Sequence, residues 1–323
     1  MTQFLNQRHE ILFLYDVKMS NPNGDTVDNS PRTLPDGTIY VTDVRLKRFI
    51  RDYLATQADR HIFVSKTKPP STVTEVFKTF AKHELKSNKL TKQNKATLQD
   101  LLASMLDHYI DLRLFGSVFA IDKSVSEAIG NQPLGIFSPH TGPVQFSIGE
   151  VLHPADTIFI SGTSVFASKE DKTQGTFTDL NVIRYGLIGF SGTVNQHNAA
   201  ITRMTPEDYE CLLHALWYGV ASANTRSKQG QIPRLLVSID FPEGSEQYIG
   251  RLHDLVTLAS QNNTPATQWA SPQDYTVSLA KLTELLANLR PTPMVRYLAH
   301  PHFQVQHLPE FSQCLTLTPG GLG

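Results

Sequence analysis

The sequence is short of several things. Among 323 residues there are two cysteines, Cys211 and Cys314. That is too few for a disulfide framework and suits a reducing compartment. No apolar run approaches the roughly 20 residues that cross a bilayer, and Asn6-Gln7-Arg8-His9-Glu10 forms no signal-like apolar region. The expectation is a soluble, cytoplasmic protein with no membrane partner. Charged residues make up 18% of the chain against 40% hydrophobic ones, so the chain is globular and not disordered. A net charge of −1 excludes a polyanion binder that works through its whole surface. Catalytic signatures are missing as well. There is no HExxH, no CxxC pair, no GxSxG and no GxxxxGK(S/T).

The charge that is present is uneven. Residues 1–95 hold sixteen Lys and Arg against ten Asp and Glu, while the remainder holds thirteen against twenty. A polyanion would therefore meet a local basic patch, and the acidic part would face like subunits or other proteins.

One stretch organises the rest, Glu10 to Leu54. Ile11, Leu12, Phe13, Leu14, Tyr15 and Val17 form a short, β-prone apolar run that reads as a buried strand. Asn21-Pro22 and Asn23-Gly24 break it. Thr42 or Asp43 then starts a helix. Leu46, Phe49, Ile50, Tyr53 and Leu54 follow i, i+3, i+4, i+7, i+8 spacing and predict one buried face. Lys47, Arg48 and Arg51 fall opposite, with Arg45 at the flank. Four cations in two turns look like a seat for an anion chain, although cations on a solvated helix face are also common.

Further along, residues 72–110 read as helical and basic, an insertion. Leu112–Ile121, Gly142–Ile148, Thr157–Phe166 and Arg234–Phe241 read as strands. Ala167–Asn181 is polar and reads as a long hairpin or projecting loop. Val182–Val194 carries Gly186, Gly189 and Gly192, which call for open backbone. Thr205-Pro206-Glu207-Asp208 is a strong helix start, and Leu279–Leu289 looks helical. Removing the two insertions leaves strand, helix, strand, strand, helix, strand. That order predicts an α+β fold with a split βαβ core, ferredoxin-like or RNA-recognition-like. Two helices would cover one sheet face and leave the other for a ligand.

Nucleic-acid binding fits these residues better than catalysis. Asn21, Asn23, Lys47, Arg48 and Arg51 cluster at one end of the first strand–loop–helix unit, and Arg226 and Lys228 lie in the loop after the second helix. Helices packed side by side would bring the two groups together as a groove tracking phosphates. Phe177, on the projecting segment, would wedge between bases or fold back on its own hairpin. Asp25 and Asp28 would serve as a base or metal ligands, or as ordinary turn residues. His300, His302 and His307 would hold a metal or belong to a surface tail.

The sequence resembles the crRNA-binding backbone subunit of type I CRISPR Cascade complexes, in the repeat-associated RNA-binding (RAMP) superfamily, closest to subtype I-B. The resemblance rests on E-I-L-F-L-Y-D-V-K-x-x-N-P-N-G-D (10–25), V-T-D-V-R-L-K-R-F-I-R-D-Y-L (41–54), D-L-R-L-F-G (111–116), G-P-V-Q-F-S-I-G (142–149), R-Y-G-L-I-G-F (184–190) and R-S-K-Q-G-Q (226–231). It implies a modified ferredoxin-like palm with an antiparallel sheet (residues 1–57, 111–162 and 186–323), helical fingers (58–110) and a β-hairpin thumb (163–185). Copies would line up along one guide RNA, with other Cascade subunits, and present it for pairing with target DNA. The implied RNA contacts are Ser20, Asn21, Asn23, Arg45, Lys47, Arg48, Arg51, Gln145, Phe146, Lys169, Phe177, Arg226 and Lys228. No catalytic residue, metal or cofactor is implied. Relatives often carry Met-Gly-Lys in the thumb, where this chain has Thr176-Phe177-Thr178-Asp179. The competing enzyme reading is a type III-like backbone nuclease that cuts target RNA with Asp25 or Asp28. A ferredoxin-like small-molecule enzyme has no acid–base pair to support it.

Overall fold

The computed structural model describes residues 3–56, 58, 60–65, 75, 79–80, 98–117, 140–163 and 177–317. The α-helices among the described residues, six to sixteen residues long, are α1 (Asp43–Thr56), α2 (Leu98–His108), α3 (Ile110–Phe115), α4 (Gln196–Thr202), α5 (Pro206–Ala221) and α6 (Ala280–Asn288). The first strands are β1 (His9–Ser20), β2 (Tyr40–Val41), β3 (Gly116–Ser117), β4 (His140–Thr141), β5 (Val144–Phe146), β6 (Gly149–Val151), β7 (Thr157–Thr163) and β8 (Phe177–Val194). Then follow β9 (Gln231–Asp240), β10 (Thr257–Ser260), β11 (Tyr275–Ser278), β12 (Met294–Ala299), β13 (Val305–Gln306) and β14 (Gln313–Cys314).

The main sheet runs β14-β12-β9-β1-β8-β6-β2, with β5 and β7 also on β8. Its pairs are antiparallel except β12 with β14. The fold is thus a mixed α/β one built on a largely antiparallel sheet. β1 is its centre, and the reason lies in its sequence. Residues 9–17 are buried throughout. Ile11, Phe13, Tyr15 and Val17 enter one apolar cluster, while Leu12 and Leu14 enter another on the opposite face.

On the first face α1 presents Leu46, Phe49, Ile50, Tyr53 and Leu54, the five residues its spacing predicted. Burial of such side chains stabilises by about 1.5–3 kcal/mol each, as an upper bound. α5 lies beside α1. It opens with a capping box between Thr205 and Asp208 and with Pro206 in its first turn. The two helices touch closely at Gly219, where an added Cβ would sit 2.8 Å from the carbonyl oxygen of Phe49. A side chain there would push α5 off α1.

The opposite face is not open, and here the expectation of a free sheet face is overturned. Leu252, Trp269, Tyr275, Val277, Leu282, Leu286 and Phe303 pack over Leu12, Leu14, Leu187, Leu235 and Val237. The C-terminal segment, with the small β10-β11-β13 sheet and α6, therefore fills that face. The physical reason is the apolar inventory of the sheet, too large to leave in water. Asp16, the one acid in the middle of β1, is held by Arg234 at 2.8 Å and by the Tyr185 hydroxyl at 3.2 Å.

A second correction concerns Leu112–Ile121. Residues 110–115 form helix α3 and not a strand; 118–121 lie outside the described residues. Gly116–Ser117 is strand β3. Before it, Asp111 is fully buried and Arg113 grips Asp208 with two 2.7 Å bonds, long-range contacts that an apolar run does not reveal. The glycine-bearing run 182–194 is continuous strand, part of β8. Gly192 is needed because the Phe146 ring lies 2.6 Å from where its Cβ would be. β7 pairs with β8 from Thr157↔Ile183 to Thr163↔Phe177, which makes a hairpin. Residues 164–176 lie outside the described residues, as does most of the 72–97 basic stretch.

Candidate nucleic-acid interface

The site is assembled by the loop that ends β1. Asn23 fixes the start of α1: its Oδ1 accepts from the Thr42 amide at 2.9 Å and from the Thr42 hydroxyl at 2.8 Å. Asn21 is fully buried, and its Nδ2 donates to the Asn29 carbonyl at 2.7 Å. The same loop is stitched to the segment after α5. The Asn21 amide and the Ser20 hydroxyl both donate to the Ser227 carbonyl, at 2.8 and 3.0 Å. The Lys228 ammonium donates to the Asn21 carbonyl. Residues far apart in sequence are thereby locked at one end of the helix pair.

Between α1 and the 222–228 segment lies a cavity of about 450 Å³. Arg45, Phe49, Asp52, Tyr53, Thr225 and Lys228 are among its walls. The Arg45 guanidinium sits 4.1 Å from the centroid of the Phe49 ring, and its Nε is buried without a hydrogen-bond partner. Burial pulls the Arg45 pKa below its usual value. Burial first, and the Arg45 charge second, push Lys228 down to about 8. Among the described residues no ion pair reaches either cation. The Asp52 charge acts on Arg45 from the same wall but forms no ion pair with it, so two cations over an aromatic floor leave room for an anion. Arg226 is exposed on the same segment.

The other α1 cations stand differently. Lys47 bonds Asp43 at 3.2 Å and the Gln145 side chain at 3.1 Å. Arg48 holds both oxygens of Asp52. Arg51 bonds Asp111 at 3.0 Å; Asp111 also accepts from the amides of Phe63 and Val64. In this chain alone, therefore, Lys47, Arg48 and Arg51 are paired, and Arg51 welds α1 to the base of the 58–110 insertion. Of the further residues named from the sequence, Gln145 is exposed, Phe146 is buried against Gly192, and Ser20 is fully buried. Phe177 is described by its backbone pairing alone. Lys169 lies outside the described residues.

Sequence reasoning expected Lys47, Arg48 and Arg51 to face Arg226 and Lys228, whereas the cation beside Lys228 in the cavity is Arg45, and the other three each meet a carboxylate. For Asp43–Lys47 and Arg48–Asp52 the i, i+4 spacing was a readable signal. For Arg51–Asp111, sixty residues apart, there was none.

The possible catalytic groups are otherwise occupied. Asp25 accepts from the Val27 amide at 2.8 Å and lies 3.8 Å from Arg32. Asp28 accepts from the amide and hydroxyl of Ser30, and these bonds lower its pKa. His300 contacts Arg234, and His307 contacts Ser278. Among the described residues no three His, Cys, Asp or Glu side chains gather as a metal set, and no helix is long and apolar enough to cross a membrane.

Comparison with known proteins bears on the family. Residues 7–280 match the family profile of CRISPR-associated protein Cas7. A curated Cas7 from Haloferax volcanii is 35% identical over 293 residues, 86% of this chain and 82% of that protein. In fold, the chain is similar to one in a solved structure described as a CRISPR RNA-guided surveillance complex, pre-nicking, with TM-score 0.50, 13% identity and 98% of each chain covered. By extent and identity of these matches, the chain belongs to the Cas7 family of CRISPR-associated proteins.

Proposed function

We propose that the protein is a non-catalytic, RNA-binding backbone subunit of a CRISPR RNA-guided surveillance complex, of type I and close to I-B. Copies line up along the guide RNA with other Cascade subunits and leave its bases free to pair with target DNA. The observation that carries this reading is the Arg45–Lys228 cavity, two cations that no ion pair reaches among the described residues. The strand order β9-β1-β8-β6 with α1 and α5 on one face supports a ferredoxin-like palm. The β7–β8 hairpin is assigned as the thumb (163–185), with Phe177 its wedge and Lys169 a contact, and residues 58–110 as the fingers.

In this reading Arg45, Lys228 and Arg226 neutralise phosphates directly. Lys47 joins by exchanging its helix carboxylate Asp43 for phosphate, since such pairs hold by only about 0.3–0.5 kcal/mol, and Arg48 adds its charge while it stays on Asp52. Gln145 lies beside Lys47 and serves the same stretch of backbone. Asn21, Asn23, Ser20, Arg51 and Phe146 act by placing these groups. Backbone contacts of this kind position a strand without reading its sequence. The turn bonds of Asp25 and Asp28 support the non-catalytic assignment over a nuclease.

The test is the double variant Arg45→Ala/Lys228→Ala. Guide RNA should no longer co-purify, and the slope of log K against log salt should fall by about two. Undiminished RNA retention with an unchanged slope would overturn the proposal.

A further inference from the structure

The same cavity holds a group that phosphate binding does not explain. The Asp52 carboxylate lines it opposite Arg45 and Lys228. Its side chain is 51% exposed, and Arg48 holds it through both oxygens, Nε to Oδ2 at 2.9 Å and Nη2 to Oδ1. A carboxylate has about four lone-pair sites, so each oxygen keeps one for a ligand. Arg48 fixes where they point.

A phosphate offers acceptors only, and it is repelled by a carboxylate in the wall. Beyond its pair with Arg48, Asp52 suits a bound strand that brings a hydrogen-bond donor close to its own phosphate. A deoxyribose-phosphate backbone has no such donor. A ribose-phosphate backbone has one per nucleotide, the 2′-hydroxyl, and this group is what distinguishes RNA from DNA at a given site. We infer that Asp52 reads the ribose 2′-hydroxyl of a nucleotide whose phosphate sits on Arg45 and Lys228, and that it makes the groove selective for RNA over single-stranded DNA. Arg48 is the positioning residue for that contact. The inference rests on the phosphate assignment above and adds a sugar specificity to it.

The experiment holds the base constant. The full chain is titrated with three uridine oligonucleotides: ribose, 2′-deoxy and 2′-fluoro. The fluoro sugar keeps an RNA-like pucker but lacks the donor. A hydrogen bond to a charged group predicts that the wild type binds the ribose strand about tenfold more tightly than either analogue. Asp52→Ala removes an exposed helix side chain in favour of a good helix former, so the variant folds. It should bring the three affinities together, mainly by raising those of the analogues. A ribose preference that survives in Asp52→Ala, or a 2′-fluoro strand that binds the wild type as well as ribose does, overturns the assignment. Arg45→Ala/Lys228→Ala separates the two layers. If it binds all three strands like the wild type, the phosphate reading falls and the sugar reading with it. If it loses all three while Asp52→Ala keeps the preference, only the sugar reading falls.

Discussion

Two sets of cations share one helix end and behave as opposites. Lys47, Arg48 and Arg51 each have a carboxylate. Arg45 and, in the same cavity, Lys228 form no ion pair among the described residues; burial weakens the hold of both on their protons, and the Arg45 charge weakens that of Lys228 further. The paired set stabilises the free chain. The unpaired set destabilises it, and this stored repulsion is what an anion relieves. Counting positive residues along a helix does not separate these roles; the position of the acids does.

The comparison breaks hardest at Asp111. Asp111→Ala removes a fully buried carboxylate from the partly exposed Arg51 guanidinium and from two amides, a loss of about 3 kcal/mol in chemical denaturation. Retained stability would mean that the Arg51 pair is dispensable. Lys228→Met should move the two quantities apart. RNA affinity falls about tenfold in a titration, as expected for a lost charge-assisted contact, while the melting temperature holds or rises.

pH sharpens the contrast further. Lys228 has a folded pKa of about 8, below its ordinary 10.5. The unfolded chain binds the proton more tightly, so stability rises with pH between those values. Phosphate favours the charged form, so RNA affinity should decline as pH climbs from 7 to 9. Lys228→Arg should flatten that decline, and an equally steep profile in the Arg variant would contradict the placement of Lys228. The smallest effect belongs to Arg48→Ala: about 0.3–0.5 kcal/mol of stability, in keeping with an i, i+4 pair half in solvent.

Much of this was legible in the residues. The five buried positions of α1 and the Thr205–Asp208 start of α5 follow from spacing and capping chemistry alone. The central strand followed from its apolar run. What could not be read was long-range. Arg51 meets Asp111, and Arg113 meets Asp208, across separations that no local pattern encodes. Asp111 and Arg113, held in those pairs, lie on the helix that replaces the first part of the strand expected over Leu112–Ile121. The C-terminal cover of the sheet was illegible for another reason: its strands β10, β11 and β13 have four, four and two residues, too short for a period to register.

The bond from Lys228 to the Asn21 carbonyl has a consequence in time. A ribosome releases the first basic helix long before it has made the lysine that completes the grip. Until residue 228 has emerged and folded back onto the first strand, the growing polypeptide holds only half of its phosphate seat. On the proposed reading, guide capture waits on translation as far as residue 228, and a product stopped before it competes poorly for the RNA.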